Sequence, residues 1–314
     1  MAYQIIDLGA LNGNFSHGMA INNRGQVVGW TGNPASPNSA TSPAPFIWAQ
    51  GVMLNLALPP GPMYGAALDL NDFQQAVGWV YNTVANLAAI WTNGAFSKVP
   101  IPGDGQTVYG VNDCGMAVGE GGPPTTGNIH GYSDQNGTIK LPPIPPTPPH
   151  VLPDDRYTRA YGINNHGQVA GGSDTGQPVV DPKPYSPPAP GIHAVTWDNG
   201  LVTDLGTLNP GEGSEAYGIN DVGQIVGRSG NNAVLWHGGA KTNLGPGIAF
   251  NINNAGVVIG DTFFWHAGTR TPLVSLLPAG SGWSNLEGRD VNDQGRITGT
   301  GTHGGQQRAF LMWQ

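Results

Sequence analysis

The sequence predicts an all-β fold: a seven-bladed β-propeller with four-stranded blades, its ring closed by the N-terminal strand joining the C-terminal blade. Three observations carry this. The 314 residues include 50 Gly and 28 Pro but only 10% charged side chains, a turn-rich composition that suits short strands. A pattern of Ile/Leu/Val, Asn, Asn/Asp, x, Gly, x, Val/Ile/Ala, x, Gly occurs seven times, at spacings averaging about 45 residues, the length of one four-stranded propeller blade. The two ends are also complementary: the chain finishes on "RAFLMWQ", a third strand with no fourth after it, and begins with "IIDLGAL", a fourth strand with no third before it.

The seven copies begin at Ile21, Leu70, Val111, Ile163, Ile219, Ile252 and Val291. Asn followed by Asn or Asp and then Gly suits a type I turn with Gly in the left-handed bulge position, joining two antiparallel strands. Gln74 alone breaks the first Gly column, so its turn is expected to differ in geometry. A second strand pair follows each hairpin, clearest in "HAVTWDNGLVTDLGTL" from His193, with Trp near the end of one strand and a turn at Asn199 and Gly200. Trp48, Trp91, Trp197, Trp236, Trp265 and Trp313 fill this Trp slot, which the third repeat lacks. Pairing the strand around Ile5–Leu8 with that around Phe310–Trp313 removes an exposed sheet edge. Residues 1–314 then form a single domain, with Pro-rich loop inserts at 141–158 and 171–191.

These residues resemble the HAF repeat family, named for a His-Ala-Phe element before the Trp, followed by a Leu-Gly-Thr-Leu element and a Gly-Ile-Asn turn. The best copy is "GIHAVTWDNGLVTDLGTLNPGEGSEAYGINDVGQIVG" from Gly191, and the resemblance covers nearly the whole chain. Elsewhere the His-Ala-Phe element is degenerate, as at Arg308, Ala309 and Phe310. The resemblance implies a repeat fold, often extracellular, and carries no shared activity or catalytic residues.

Charge narrows the partners. The net charge is -8 and no Lys/Arg cluster occurs, which argues against nucleic acid, because phosphate-backbone binding draws on basic groups. The one cysteine, Cys114, excludes an internal disulfide framework. No stretch approaches the roughly 20 apolar residues that span a bilayer, so no membrane partner is expected. The opening "MAYQIIDLGALNG" has neither a basic nor an apolar leader region, which makes the cytoplasm the expected compartment, with an extracellular location as the alternative the resemblance raises. A monomer is expected.

Function has to come from positions that the repeat does not prescribe. The residue after the last motif Gly is in turn Trp30, Trp79, Glu120, Gly172, Arg228, Asp261 and Thr300; four before the Ile column stand His17, Ala66, Thr107, Arg159, Glu215, Ile248 and Glu287. Propeller topology puts both columns at the end opposite the Asn-Gly turns, together with Trp283. This end is the expected binding face, against the alternative that charges gather wherever loops meet water. Two before the Ile column the residue is large: Met19, Leu68, Tyr109, Tyr161, Tyr217, Phe250 and Arg289. Flanked by small neighbours, these side chains read as blade-on-blade packing, with a stacking site as the alternative. The inserts suggest semi-rigid walls or a lid, or else a Pro-rich ligand or surface decoration.

No cofactor or metal is expected. "DLND" from Asp69 and "DVNDQG" from Asp290 lack the spacing and distal Glu of a calcium loop, and the eight His form no close ligand pair. No phosphate loop or nucleophile elbow appears. Two readings remain. One is a funnel that binds a neutral, carbohydrate-like small molecule through Trp30, Asp69, Trp79, Arg159, Arg228, Trp283, Arg289 and Asp290. The other is a cofactor-free hydrolase, lyase or cyclase using Glu215, Glu287, Glu120 and His17 as acid-base groups. Against both stands the pairing of these charges between blades, and a protein-binding scaffold is the third alternative.

Overall fold

The computed structural model describes residues 3–11, 15–32, 43–61, 63–82, 84–122, 130–134, 137–145, 156–176 and 188–314. Seven four-stranded antiparallel sheets form the blades of a β-propeller, spanning 15–55, 64–98, 104–140, 158–204, 214–246, 249–272, and 283–313 with the strand Gln4–Asp7. The closing strand behaves as expected: Gln4 lies opposite Trp313 and Asp7 opposite Phe310. The chain groups into two compact units, Met1–Val99 with Asn253–Gln314, and Pro100–Ile252. In each, the apolar clusters join neighbouring blades. Ala20, Val28, Leu70 and Trp91 form one in the first unit; Ala170, Ala194, Ala216 and Trp236 form one in the second. Most of both Pro-rich inserts, 146–155 and 177–187, lies outside the described residues, and the lid reading with it. No helix among the described residues is long and apolar enough to cross a membrane.

The Asn columns do more than make turns. In the first unit Asn22 Nδ2 donates to Asn71 O (3.1 Å), while Asn253 Nδ2 donates to Asn292 O and Asn292 Nδ2 to Asn22 O (both 2.9 Å). In the second, Asn112 donates to Asn164 O and Asn164 to Asn220 O (both 3.0 Å). The same side chains hold their own turns: Asn164 Oδ1 accepts from His166 N and Gln168 N at 3.1 and 3.0 Å. This position needs a donor and an acceptor at once, which Asp lacks when ionised. The following position needs only an acceptor, as where Asn165 N donates to Asp221 Oδ1 (2.8 Å) or Asp293 N to Asn23 Oδ1 (2.9 Å). That difference explains why the first column is always Asn and the second is Asn or Asp.

The turn at Gln74 is not altered. Its φ is 61°, beside 75° at Gly25 and 77° at Gly223, so Gln74 adopts the left-handed conformation at a steric cost that Gly avoids. A Cβ at Gly223 would meet nothing within 4 Å, which isolates the backbone contribution. Gly223→Ala is therefore expected to lose about 1 kcal/mol in urea denaturation and Gln74→Gly to gain a similar amount. Unchanged midpoints in both would remove the positive-φ account.

The column of large residues packs between blades, with Tyr161 and Tyr217 buried, and it has a feature that the sequence reading did not include. In six blades the ladder between the first two strands slips by one residue, leaving Met19, Leu68, Tyr109, Tyr161, Tyr217 or Arg289 as the extra residue of a β-bulge. A bulge re-aims its side chain and kinks the strand. The small neighbour that follows makes room for the next blade: a Cβ on Gly162 would stand 2.7 Å from the carbonyl oxygen of Tyr217.

Candidate functional site

In six blades the two variable columns face one another. His17 lies opposite Trp30, Ala66 opposite Trp79, Thr107 opposite Glu120, Arg159 opposite Gly172, Glu215 opposite Arg228 and Glu287 opposite Thr300. Contacts also run onward to the next blade. Glu120 pairs with Arg159, and Thr300 Oγ1 lies 2.9 Å from His17 Nδ1. Gly172, having no side chain, leaves space for Glu215, whose Cγ would be 3.2 Å from an added Cβ. The variable residues are thus chosen partly in interblade pairs.

In the second unit these pairs merge into one buried network. Arg159, 1% exposed, donates from Nε to Glu120 Oε2 and from Nη1 to Tyr161 Oη (3.2 Å). Its guanidinium lies 5.4 Å from the Tyr157 ring centroid and 5.8 Å from that of Tyr161, cation–π contacts suited to a desolvated charge. Tyr109 Oη donates to Glu120 Oε1 at 2.6 Å. Glu215, wholly buried, accepts from Tyr157 (3.1 Å), Tyr217 (3.0 Å) and Tyr161 (3.5 Å).

Burial pushes the Glu215 carboxyl above the usual carboxylate range, against the pull of Arg159 and of the hydrogen bonds from Tyr217 and Tyr157. Burial first, then the charge of Glu120 on Tyr109 and of Glu215 on Tyr157, raises both phenols well above their ordinary value. The tyrosines are therefore neutral donors.

Three of the bulge residues join Phe250 in a row of rings. Tyr109, Tyr161, Tyr217 and Phe250, one from each of four successive blades, stand with centroids 5.2, 4.9 and 6.3 Å apart. Tyr161 and Tyr217 are buried, while the terminal Tyr109 and Phe250 are half-buried. Tyr157, absent from the sequence candidates, sits two residues before Arg159, so strand alternation carries Tyr157 and Arg159 to one face. It lies at the end of the first insert, outside every repeat column. There Arg156 pairs with Asp174 at 3.0 Å and Ile144 N donates to Ser173 Oγ at 3.0 Å, so the bases of the two inserts do stand side by side.

The first unit holds the other candidates. The His17 ring stacks on Trp30 with centroids 4.4 Å apart, and Phe15 meets both edge-on. Burial and then the charge of Arg289 lower the His17 pKa to about 4, which leaves it neutral and a weak base at pH 7. Arg289 lies 3.7 Å from Glu287, whose side chain is 57% exposed. Trp283 stacks on His303 (4.6 Å), and Trp79 meets Tyr64 edge-on at 6.0 Å.

Asp290 accepts backbone hydrogen bonds from Ile21 N and Val291 N, both 2.7 Å, and Asp69 accepts from Leu70 N at 2.8 Å. In the second unit Arg228 donates to Gly230 O (2.7 Å) and Asn231 Oδ1 (3.2 Å), apart from the Glu120–Arg159–Glu215 network. Among the described residues no group of three or more His, Cys, Asp or Glu is placed to hold a metal ion.

Neither protein-family models nor curated proteins give a match to this chain. Solved structures do. TolB from Acinetobacter baumannii is 12% identical with a TM-score of 0.46, over 92% of this chain and 64% of that one. The β-propeller domain of the Trilobed protease from Pyrococcus furiosus is 9% identical with a TM-score of 0.48, over 95% of both chains. An acylaminoacyl peptidase from Pyrococcus horikoshii is 10% identical with a TM-score of 0.46, over 94% of this chain and 52% of that one. The chain thus spans less than two thirds of the TolB and peptidase chains, and its fold rests on its own seven sheets.

Proposed function

We propose that the second unit binds a neutral, carbohydrate-like small molecule at its row of aromatic rings, with Glu120, Arg159 and Glu215 as positioning residues behind them. The observation that carries this reading is the row itself: four rings in register from successive blades, three of them held by hydroxyl hydrogen bonds to buried acids. Aromatic faces suit the apolar faces of a sugar-like ring. Glu215 is 0% exposed, so an incoming molecule meets the half-buried end rings Tyr109 and Phe250 before it meets that carboxylate. The reading needs no cofactor, and membership of the HAF repeat family, carried by the repeat pattern, is proposed with it.

Isothermal titration calorimetry of the full chain against a panel of neutral saccharides and polyols tests the proposal. Tyr109→Ala and Phe250→Ala, at the half-buried ends of the row, are each expected to weaken binding by roughly fivefold or more, as loss of a stacked ring costs about 1 kcal/mol or more. A panel with no binder, or variants that bind like the parent, would sink it. The enzyme reading stays second, because burial raises the pKa of the Glu215 carboxyl, the direction that suits a general acid. Its mark would be a Glu215→Gln variant that retains affinity and loses turnover by about a hundredfold.

A further inference from the structure

The first unit contains a cleft of about 850 Å³ between the two outer strands of its first blade, the connector that follows them, and residues Gln74, Ala76, Asn93 and Gly94 of its second blade. That volume falls within the roughly 300–1,000 Å³ of small-molecule sites. Its apolar side includes Ile47, Leu56 and Met63, which pack on the same cluster as the buried Trp91. Leu54, 60% exposed, belongs to its wall. Among the described residues the lining includes no ionisable side chain; its longer polar groups are the amides of Gln26, Asn55, Gln74 and Asn93.

Gln26 shares its Oε1 with Asn22 at 2.9 Å. Gln74 is the residue that replaces the turn Gly of the other six repeats, and it lines this cleft while held at a φ of 61°. A side chain therefore stands where the repeat otherwise has none, despite the conformational cost, and it is an amide at the edge of an apolar space. A charged ligand would be desolvated here without an opposite charge to meet it, whereas an amide can satisfy either a donor or an acceptor.

We propose that this cleft is a second binding site, for a neutral and mainly apolar small molecule that bears a hydrogen-bonding group, with Gln74 as its specificity residue. The site is independent of the aromatic row. N-phenyl-1-naphthylamine, a neutral apolar fluorophore with one N–H, serves as the probe in a fluorescence titration of the full chain.

The expected result is saturable, blue-shifted emission at one probe per chain. Leu54→Glu places a charge on the wall at an exposed position and is expected to raise the dissociation constant by about tenfold or more. Gln74→Gly, which the turn geometry favours, is expected to raise it by about fivefold through the lost hydrogen bond. The proposal is overturned by the absence of saturable binding, or by saturable binding that both variants leave unchanged. It is equally overturned if sedimentation shows a dimer whose formation displaces the probe, which would give the cleft to a second copy of the chain.

Discussion

Arg159→Met is expected to destabilise the protein by about 3–5 kcal/mol, because it strips the partner from a buried charge. Glu120 pairs with Arg159 at 6% exposure, and Arg159 is also the cation that restrains the pKa of wholly buried Glu215. Without the guanidinium, Glu120 keeps the Tyr109 hydroxyl and Glu215 keeps its three tyrosyl hydroxyls, but neither acid has a charge to offset its own. The Glu215 pKa, which the guanidinium lowers, would then rise further. The double variant Arg159→Met/Glu120→Gln is expected to recover most of the loss, since replacing both members of a buried pair costs far less than removing one. Urea denaturation of the parent, both single variants and the double variant closes a cycle that isolates the coupling. A single-variant loss below about 1 kcal/mol would mean that the network is hydrated and the charges are not interdependent.

How far this network could be read from the sequence depends on which contacts a repeat encodes. The blades were legible because each copy repeats its own local chemistry: the Asn-Asn/Asp-x-Gly turn, the Trp slot and the terminal complement of "IIDLGAL" with "RAFLMWQ". Glu120, Arg159 and Glu215 were legible as departures from the repeat. That such charges pair between blades was one of the alternatives the sequence offered, and Glu120 with Arg159 does so; which acid meets which base was not legible, because the pair joins one column in one blade to a different column in the next, and alignment of copies compares like columns only.

The bulge was hidden for a related reason. A large residue between small ones reads as ordinary in-and-out alternation, and nothing local tells that Tyr109, Tyr161 and Tyr217 are extra residues in their ladders. The Asn columns misled in the other direction. Their turn role was sufficient to explain them, so the interblade hydrogen bonds left no separate trace. Tyr157 lies in an insert, where no comparison between copies exists.

Removing residues 1–9 is expected to give the other large effect, a fall in the melting temperature of about 10 °C or more. The strand Gln4–Asp7 covers the edge of Gln306–Trp313, with Leu8 N donating to Ala309 O at 3.0 Å just beyond it. Ile5 packs against the cluster containing Phe310 and Met312, while Ile6 and Leu8 join Ile21, Phe46 and Trp48 of the first blade. Loss of three such aliphatic contacts costs roughly 1.5–3 kcal/mol for each fully buried side chain and less for the half-buried Ile5 and Ile6. Asp7 adds contacts to His303 (3.2 Å) and Arg308 (3.5 Å), but these are partly exposed and contribute little. Asp7→Asn should therefore melt close to the parent, which separates the ion pairs from the strand. The bare edge would expose unpaired backbone groups, so the truncated chain should also aggregate with increasing concentration. A synthetic peptide of residues 1–11 should restore its melting temperature by re-forming the pairing. If the truncated protein instead melts like the parent, or the peptide has no effect on a lowered melting temperature, the strand does not close the last blade in solution.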